Sequence, residues 1–223
     1  MQLALTEYRE AWDFQHRLVA ARKDRIIGND IVLFLEHPPV FTLGRRGGLD
    51  NLTVSEAFLK KAGISVIQVE RGGDITYHGP GQLVVYPIVD LREAGLRVLN
   101  YVTGLEEVMI RAAEDFGVVA GRNSMNRGVW VANKKLGSIG ITIRRGVTFH
   151  GIAFNVNLSL EPFDWINPCG LKGIGMTSIE RELSYQLSMR EVREAVMSHM
   201  ETVFGIEFKE TNLSEINALL KSY

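Results

Sequence analysis

The sequence has very little cysteine, no excess of either charge and no long apolar run. A single cysteine among 223 residues cannot form an internal disulfide, which predicts a reducing, cytoplasmic setting. Lysine and arginine together number 25 and aspartate and glutamate 26, a formal net charge of −1. No overall basic field therefore indicates nucleic-acid binding. No apolar run approaches the length of a membrane span, so we predict neither nucleic acid nor membrane as a partner.

The chain also lacks the patterns of a secretory signal and of a metal site. Glu7, Arg9 and Glu10 interrupt the N-terminal stretch MQLALTEYREAW too early for a signal peptide. The five histidines do not have metal-ligand spacing, and there is no second cysteine to join them. We therefore predict no metal and no cofactor.

What the sequence does have is an ordinary globular composition, with 46% hydrophobic and 23% charged residues. Helical periodicity begins after Thr6, the predicted N-cap, and helix signals recur at 55–63, 101–117 and 188–205. Short β-type runs lie between them, among them IVLFLEH, ISVIQVE and the almost wholly apolar LVVYPIVDL. Because hairpins and helices are mixed without a linker, we predict a single α+β domain over residues 1–223. Its sheet should be mixed, largely antiparallel and flanked by helices.

A glycine-rich stretch, RGGDITYHGPGQLVVYP, surrounds His78 and leads into the most apolar predicted strand. Glycine allows positive φ and close approach to a ligand, but a pair of tight turns would need the same residues. The stretch lacks the Gly-Lys-Ser/Thr of a phosphate-binding loop, and it opens a strand rather than a helix. Neither a P-loop nor a dinucleotide fingerprint therefore fits, while a ligand-binding loop and two structural turns both stay open.

Three further residues are candidates for chemistry because of their neighbours. His150 precedes a glycine, as His78 does. Lys135 leads into the sequence GSIG, whose small side chains would let a ligand lie against a strand. Cys169 lies in INPCG, where it could be a nucleophile or a small buried hydrophobic residue. Residue types alone leave a structural interpretation open for all three.

Four motifs together narrow these choices. RGGDITYHGPGQLVVYP, KLGSIG, FHGIAFNVNL and INPCG, in this order, resemble the lipoyl (octanoyl) transferase family over about residues 27–208. That family moves an octanoyl group from acyl carrier protein to a lysine of a lipoyl domain. It has the fold of the biotin and lipoate protein ligase catalytic domains. One departure is Ser159, where many members have aspartate.

The resemblance implies partners and residue roles. The donor would be octanoyl-acyl carrier protein, and the acceptors would be lipoyl domains of 2-oxoacid dehydrogenase E2 subunits and the glycine cleavage H protein. Cys169 would form an acyl thioester, Lys135 would be its catalytic partner and His150 would support them. The residues implied to line the acyl-substrate site are Arg71, Gly72, Gly73, Asp74, Ile75, Thr76, Tyr77, His78, Ser138, Ile139, Gly140, Gly151, Ile152 and Ala153.

Docking of the donor also leads to a prediction about charge. Acyl carrier proteins are typically acidic, whereas this chain has no net positive charge. We therefore predict a local basic rim formed by Arg45, Arg46, Arg144 and Arg145.

Three other activities fit parts of the pattern. An ATP-dependent lipoate–protein ligase would share the fold and need no nucleophilic cysteine, although HGPGQ and INPCG argue against it. A non-catalytic acyl-binding protein would not need Cys169 and Lys135. A transferase that moves octanoyl groups between lipoyl domains uses related chemistry but places its motifs differently.

Overall fold

The computed structural model describes residues 1–168 and 174–221, so Cys169, the predicted nucleophile, lies outside the described residues. The strands are β1 (Gln2–Leu5), β2 (Ile31–Glu36), β3 (Val40–Leu43), β4 (Ser65–Gln68), β5 (Ile75–His78), β6 (Gln82–Ile88), β7 (Gly121–Asn123), β8 (Asn126–Val131), β9 (Lys134–Arg144), β10 (Val147–Asn155) and β11 (Gly175–Met176). The helices are α1 (Tyr8–Lys23), α2 (Glu56–Lys61), α3 (Val98–Asp115), α4 (Ile179–Leu183), α5 (Met189–Phe204) and α6 (Leu213–Lys221).

The strands form one large sheet and one small sheet. The large sheet has the order β1-β2-β6-β10-β9-β8-β7, and β11 pairs with β9. Its β1–β2 and β9–β11 pairs are parallel and the others antiparallel. The small sheet, β4-β3-β5, has one parallel and one antiparallel pair. This confirms the predicted α+β fold with a mixed, largely antiparallel sheet, but the sequence did not predict the division into two sheets.

Capping residues explain where several helices begin and end. Ser55 and Ser188 cap α2 and α5 as expected, since each hydroxyl accepts a hydrogen bond from the backbone N–H three residues later. Gly205, with φ of +64°, ends α5 in the left-handed conformation that glycine tolerates. The predicted cap of α1 was wrong. Its N-cap is Glu7, and the Thr6 side chain makes no capping hydrogen bond.

The two faces of the large sheet are covered by different helices. Helices α3 and α5 pack on one face, where Leu105 and Met109 meet Val85 and Phe154 in a hydrophobic cluster. Helices α1 and α6 cover part of the opposite face around Leu18. The small sheet stands over the remainder of that second face, and a cavity lies between the two sheets.

Within the described ranges, 1–168 and 174–221, no helix combines the length and the apolar character that crossing a lipid bilayer demands.

Candidate active site

Small residues and a glycine-rich loop form the walls of the cavity between the sheets. Ser138 and Gly140 of β9, with Gly151 and Ala153 of β10, form its floor, and the loop 71–74 forms its roof. In β10 a Cβ on Gly151 would overlap the carbonyl oxygen of the neighbouring β6 strand. Glycine here therefore lets β6 and β10 approach closely beneath the site.

Most of the predicted binding residues meet at this cavity, together with Lys135 and His150. Those that line it are Arg71, Gly72, Gly73, Asp74, Thr76, His78, Ser138, Ile139, Gly140, Gly151, Ile152 and Ala153. The other two, Ile75 and Tyr77, alternate with the lining residues along β5. They pack instead in a hydrophobic cluster with Phe41 and Phe163. The assignment of all these residues to substrate binding stays a prediction.

Four further residues line the cavity, and the motifs did not assign them to it: Tyr8, Arg46, Tyr86 and Asn126. Tyr8 had the spacing of an ordinary core residue of α1. Tyr86 was detectable in principle, because its hydroxyl is the one polar side-chain group in the run LVVYPI and a buried hydroxyl needs a partner.

The roof is held to the floor by backbone and side-chain hydrogen bonds. The Gly72 N–H donates to the Ile141 carbonyl at 3.1 Å, and the Thr142 hydroxyl donates to the Glu70 carbonyl at 2.7 Å. A Cβ on Gly140 would lie 3.1 Å from the Gly72 carbonyl oxygen. Glycine at this position therefore allows the loop to lie directly on β9.

Arg71 brings a permanent charge into this roof. Its side chain is buried and donates to the Thr42 carbonyl oxygen at 2.6 Å, to the Thr42 hydroxyl at 2.8 and 3.0 Å, and to the Gly72 carbonyl oxygen at 3.1 Å. Arginine stays protonated at any physiological pH. The loop therefore carries a fixed positive charge whose guanidinium is held rigidly by the small sheet.

A chain of buried amides connects His78 to the strand that bears Lys135. The His78 Nδ1 lies 2.7 Å from Gln82 Oε1, and Gln82 Nε2 donates to Asn155 Oδ1 at 2.9 Å. Asn155 donates to the Thr177 carbonyl, and the Thr177 N–H donates to the Lys135 carbonyl. Because Gln82 Oε1 can only accept, His78 carries its proton on Nδ1. Burial, and then the charges of neighbouring residues, hold the pKa of His78 well below its usual value, so the ring is neutral.

A second polar group lies behind the cavity. His37 Nδ1 is 2.6 Å from the Thr6 carbonyl oxygen and its Nε2 is 2.8 Å from the Tyr86 hydroxyl, and the centroid of the Tyr8 ring lies 4.9 Å from that of His37. Burial lowers the pKa of His37 to about 4 and raises that of Tyr8 to about 12. These groups are therefore neutral at physiological pH.

Lys135 enters the cavity from the first residues of β9 and is only 2% exposed. Its Nζ lies 5.3 Å from the centroid of the Trp130 ring. Gly128, with φ of +125°, leaves room for the lysine side chain, since a Cβ there would lie 2.7 Å from Lys135 Cε. A buried amine in this setting can act as a cation or, once deprotonated, as a base.

His150 is the most strained residue of the site. It is buried with a φ of +56°, and its backbone N–H donates to Gln15 Oε1 at 2.7 Å. Neither ring nitrogen has a hydrogen-bond partner among the described residues, and Nε2 lies 3.7 Å from Glu70 Oε2, too far for a hydrogen bond. Burial lowers the pKa of His150, and the Glu70 carboxylate opposes this in part. Burial by itself would raise the pKa of the Glu70 carboxyl. The opposing effects of His150, of the Glu70 backbone N–H and of His16 are larger together, and they bring the pKa down to about 2.

All four arginines of the predicted rim are exposed. The backbone N–H groups of Arg45 and Arg46 donate to the Arg71 and Gly73 carbonyls, which places the Arg45–Arg46 pair at the edge of the cavity roof. Arg144 lies against the Glu70 carboxylate at 3.6 Å. The role of these arginines in docking stays a prediction.

Within residues 1–168 and 174–221, no three histidine, cysteine, aspartate or glutamate side chains lie close enough together to hold a metal ion.

Comparison with known proteins identifies the class. Residues 7–201 match the family described as the lipoyl protein ligase A/B catalytic domain. Among solved structures, the chain resembles the bipartite lipoate protein ligase of Thermoplasma acidophilum, with a TM-score of 0.75. The likeness covers 99% of this chain and 90% of that one, at 18% identity, and concerns the fold alone. The chain belongs to the lipoyl protein ligase A/B catalytic domain family.

Two curated relatives are more specific. The chain is 50% identical to the octanoyltransferase of Desulfotalea psychrophila over 207 residues, which cover 92% of this chain and 93% of the relative. It is 47% identical to the octanoyltransferase of Syntrophobacter fumaroxidans over 220 residues, 99% of this chain and 96% of the relative. The predicted family and the predicted class of enzyme, an octanoyltransferase, are thereby confirmed.

Proposed function

We propose that the chain transfers an octanoyl group from octanoyl-acyl carrier protein, through a thioester on Cys169, to a specific lysine of a lipoyl domain. Lipoyl domains of 2-oxoacid dehydrogenase E2 subunits and the glycine cleavage H protein are the acceptors we expect. The observation that carries the proposal is the buried Lys135 at one end of a cavity with a floor of small residues. Close relatives over nearly the whole chain are octanoyltransferases, which supports the choice of acyl group.

The first step exchanges one thioester for another. The positive charge of a Lys135 ammonium stabilises the Cys169 thiolate, and the thiolate attacks the octanoyl carbonyl carbon. The tetrahedral intermediate collapses, the carbon–sulfur bond to the carrier breaks, and the carrier thiolate leaves and takes the proton of Lys135, which remains as a neutral amine. The two thioesters are close in energy, so this exchange needs no ATP.

The second step forms the amide. The acceptor lysine attacks the thioester carbonyl as a neutral amine, the carbon–nitrogen bond forms and Cys169 leaves as a thiolate. The proton that the nitrogen loses goes to Lys135, the buried amine on the floor strand. The glycine-rich walls leave room for an acyl chain, whose burial contributes about 0.8 kcal/mol for each methylene.

The test is to incubate the protein with octanoyl-acyl carrier protein in the absence of ATP and to follow its intact mass. We expect one added octanoyl group, labile to hydroxylamine, on the peptide that contains INPCG. Addition of an apo-lipoyl domain should then discharge the enzyme and octanoylate one lysine of the domain.

Cys169→Ala is the decisive variant, because Cys169 is the chain's one cysteine. It should lose both the adduct and the transfer. Full transfer by this variant would exclude the covalent mechanism, and transfer that requires ATP would indicate a ligase instead.

A further inference from the structure

We propose that His150 closes the far end of the acyl cavity and sets the longest acyl chain that the enzyme accepts. This inference rests on the proposed octanoyl transfer, since it takes Lys135 as the mark of the reactive end. It assigns to His150 a role in chain-length specificity, separate from the chemistry at the other end.

The register of the sheet separates His150 from Lys135. Lys135 is near the start of β9, whereas His150 pairs with Ile141, six positions further along the same strand. At about 3.3 Å per residue, six residues of strand span at most about 20 Å. An extended eight-carbon acyl chain occupies about half of this span, which leaves the rest for the Lys135 and His150 side chains.

The structure closes the cavity at the His150 end. There the Gly72 N–H is bonded to the Ile141 carbonyl, which lies opposite His150 in the sheet. The His150 ring stacks on Phe149 with centroids 4.9 Å apart, and the edge of Tyr86 is 6.2 Å away. Roof and aromatic rings therefore enclose the imidazole at the point where an acyl chain would have to stop.

The conformation of His150 indicates that its position is held for a purpose. A left-handed backbone is unfavourable for a non-glycine residue, and such residues cluster at ligand sites. The ring nitrogens have no hydrogen-bond partner among the described residues although the side chain is 1% exposed. Buried polar atoms of this kind call for a functional explanation, and the cavity is the space that the ring faces.

Two effects would reject a longer chain at this end. Additional methylenes would overlap the imidazole, which Phe149 and the Gln15-bound backbone hold in place. They would also press apolar surface against the buried ring nitrogens, which could then gain no hydrogen bond. An octanoyl chain that ends before the ring avoids both.

The experiment removes the ring while keeping the backbone conformation acceptable. His150→Gly deletes the side chain at a position where glycine is favoured, and His150→Asn keeps a shorter polar group that also tolerates positive φ. Ser184→Gly is the matched control, because Ser184 has a φ of +65° but is not among the cavity-lining residues. For each protein, kcat/KM is measured with octanoyl- and decanoyl-acyl carrier protein. Circular dichroism verifies the fold.

We expect His150→Gly to raise the ratio of decanoyl to octanoyl kcat/KM by about tenfold or more, since each methylene in a closed pocket changes the rate by at least about that factor. His150→Asn should raise it less, and Ser184→Gly should leave it unchanged. Thermal-shift titration with free octanoate and decanoate should show the same change without turnover.

An unchanged ratio in folded His150→Gly would overturn the proposal, and if that variant does not fold, an unchanged ratio in His150→Asn would do so. Absence of octanoyl transfer by the unaltered protein would instead contradict the proposed function, so the two failures can be told apart.

Discussion

The two faces of the large sheet are built from the same strands but by opposite means. On the face covered by α3 and α5, Leu105 and Met109 pack into an almost wholly apolar cluster. On the face that carries the cavity, His78, Gln82 and Asn155 are buried and hydrogen-bonded to one another. Burial of apolar surface stabilises the first face, whereas the polar part of the second face, around the cavity, gains geometric precision at little net stability.

The comparison shows how one domain can separate stability from chemistry. Substitutions on the apolar face should reduce the free energy of unfolding and leave the reaction of the folded enzyme intact. Substitutions on the cavity face should impair the reaction of the folded enzyme and change the free energy of unfolding little. Four predictions test this division, from the largest expected effect to the smallest.

The largest effect is expected from Lys135→Arg on the cavity face. Arginine keeps the positive charge but does not lose its proton, so it cannot accept one from the acceptor lysine. The variant should form the acyl-enzyme and then stall, with amide formation slower by about 10²–10⁴-fold. Single-turnover mass spectrometry with a lipoyl domain measures both steps.

Lys134→Arg is the control for this variant, because Lys134 is adjacent in β9 and exposed. It should acylate and transfer normally. Normal amide formation by Lys135→Arg would eliminate the proposed proton acceptor.

Leu105→Ala on the apolar face should lower the free energy of unfolding by about 2–5 kcal/mol, because it leaves a cavity at a side chain with no exposed surface. Urea denaturation measures the loss, and kcat per folded molecule should be unchanged. Leu99→Ala is the matched change on the same helix, at a side chain that is 60% exposed, and should cost less than about 0.5 kcal/mol. Equal losses from both would mean that α3 does not support this face as described.

His37 should make the cavity face sensitive to acid. Its pKa of about 4 in the folded protein lies below the ordinary value of 6.5, so the unfolded chain takes up the proton first as the pH falls. Above pH 6.5 the neutral His37 ring makes its full contribution to stability. This contribution is lost progressively as the pH falls from 6.5 to 4, and it does not change further below pH 4. The full loss is on the order of 3 kcal/mol.

Urea denaturation between pH 7.5 and 4 compares the unaltered protein with His37→Gln, which cannot titrate. The slope of stability against pH should become shallower in the variant. Identical slopes would show that His37 is already protonated, or exposed, in the folded state.

The smallest effect is expected at the basic rim. Arg45→Glu should raise KM for octanoyl-acyl carrier protein by up to about tenfold and reduce its dependence on salt, because rim charges act mainly on association. A small octanoyl thioester should react at the normal rate. Lys209→Glu makes the same charge change at an exposed site on the segment after α5 and should affect neither donor. Equal losses with the carrier and the small thioester would argue against a docking role for Arg45.

Much of the fold was predictable because local signals agree with the tertiary structure. Serine caps, terminal glycines and helical periodicity located α2, α3 and α5, and β6 is buried along its whole length as its apolar sequence predicted. In contrast, β1 is four residues long and largely exposed. It pairs with β2, which is distant from it in the sequence, so no local signal marks it as a strand. β5 lies between two glycine-rich segments, which obscured the alternation of its side chains between the two faces of the small sheet.

The candidate site shows the same limit. Its glycines and Lys135 were visible in the sequence as motifs, and the resemblance gave them roles. Tyr8 joins the cavity only because α1 packs across the sheet, and no pattern near Tyr8 reports that contact. The alternation of β5 also removes Ile75 and Tyr77 from the cavity, which a continuous motif could not reveal.

The hydrogen bond from Gly72 to Ile141 gives the protein a natural reporter of how its site opens. The roof loop connects β4 to β5 of the small sheet, whereas the floor strands belong to the large sheet. Separating roof from floor therefore breaks the hydrogen bonds made by Gly72 and Thr142 but no strand pairing of the large sheet. The Gly72 amide should therefore exchange its hydrogen with solvent through local opening, long before the amides of β6 or β10. An acyl chain held beneath the loop would slow that exchange. The exchange rate of the Gly72 amide in the empty enzyme therefore measures how often the roof opens to admit a substrate.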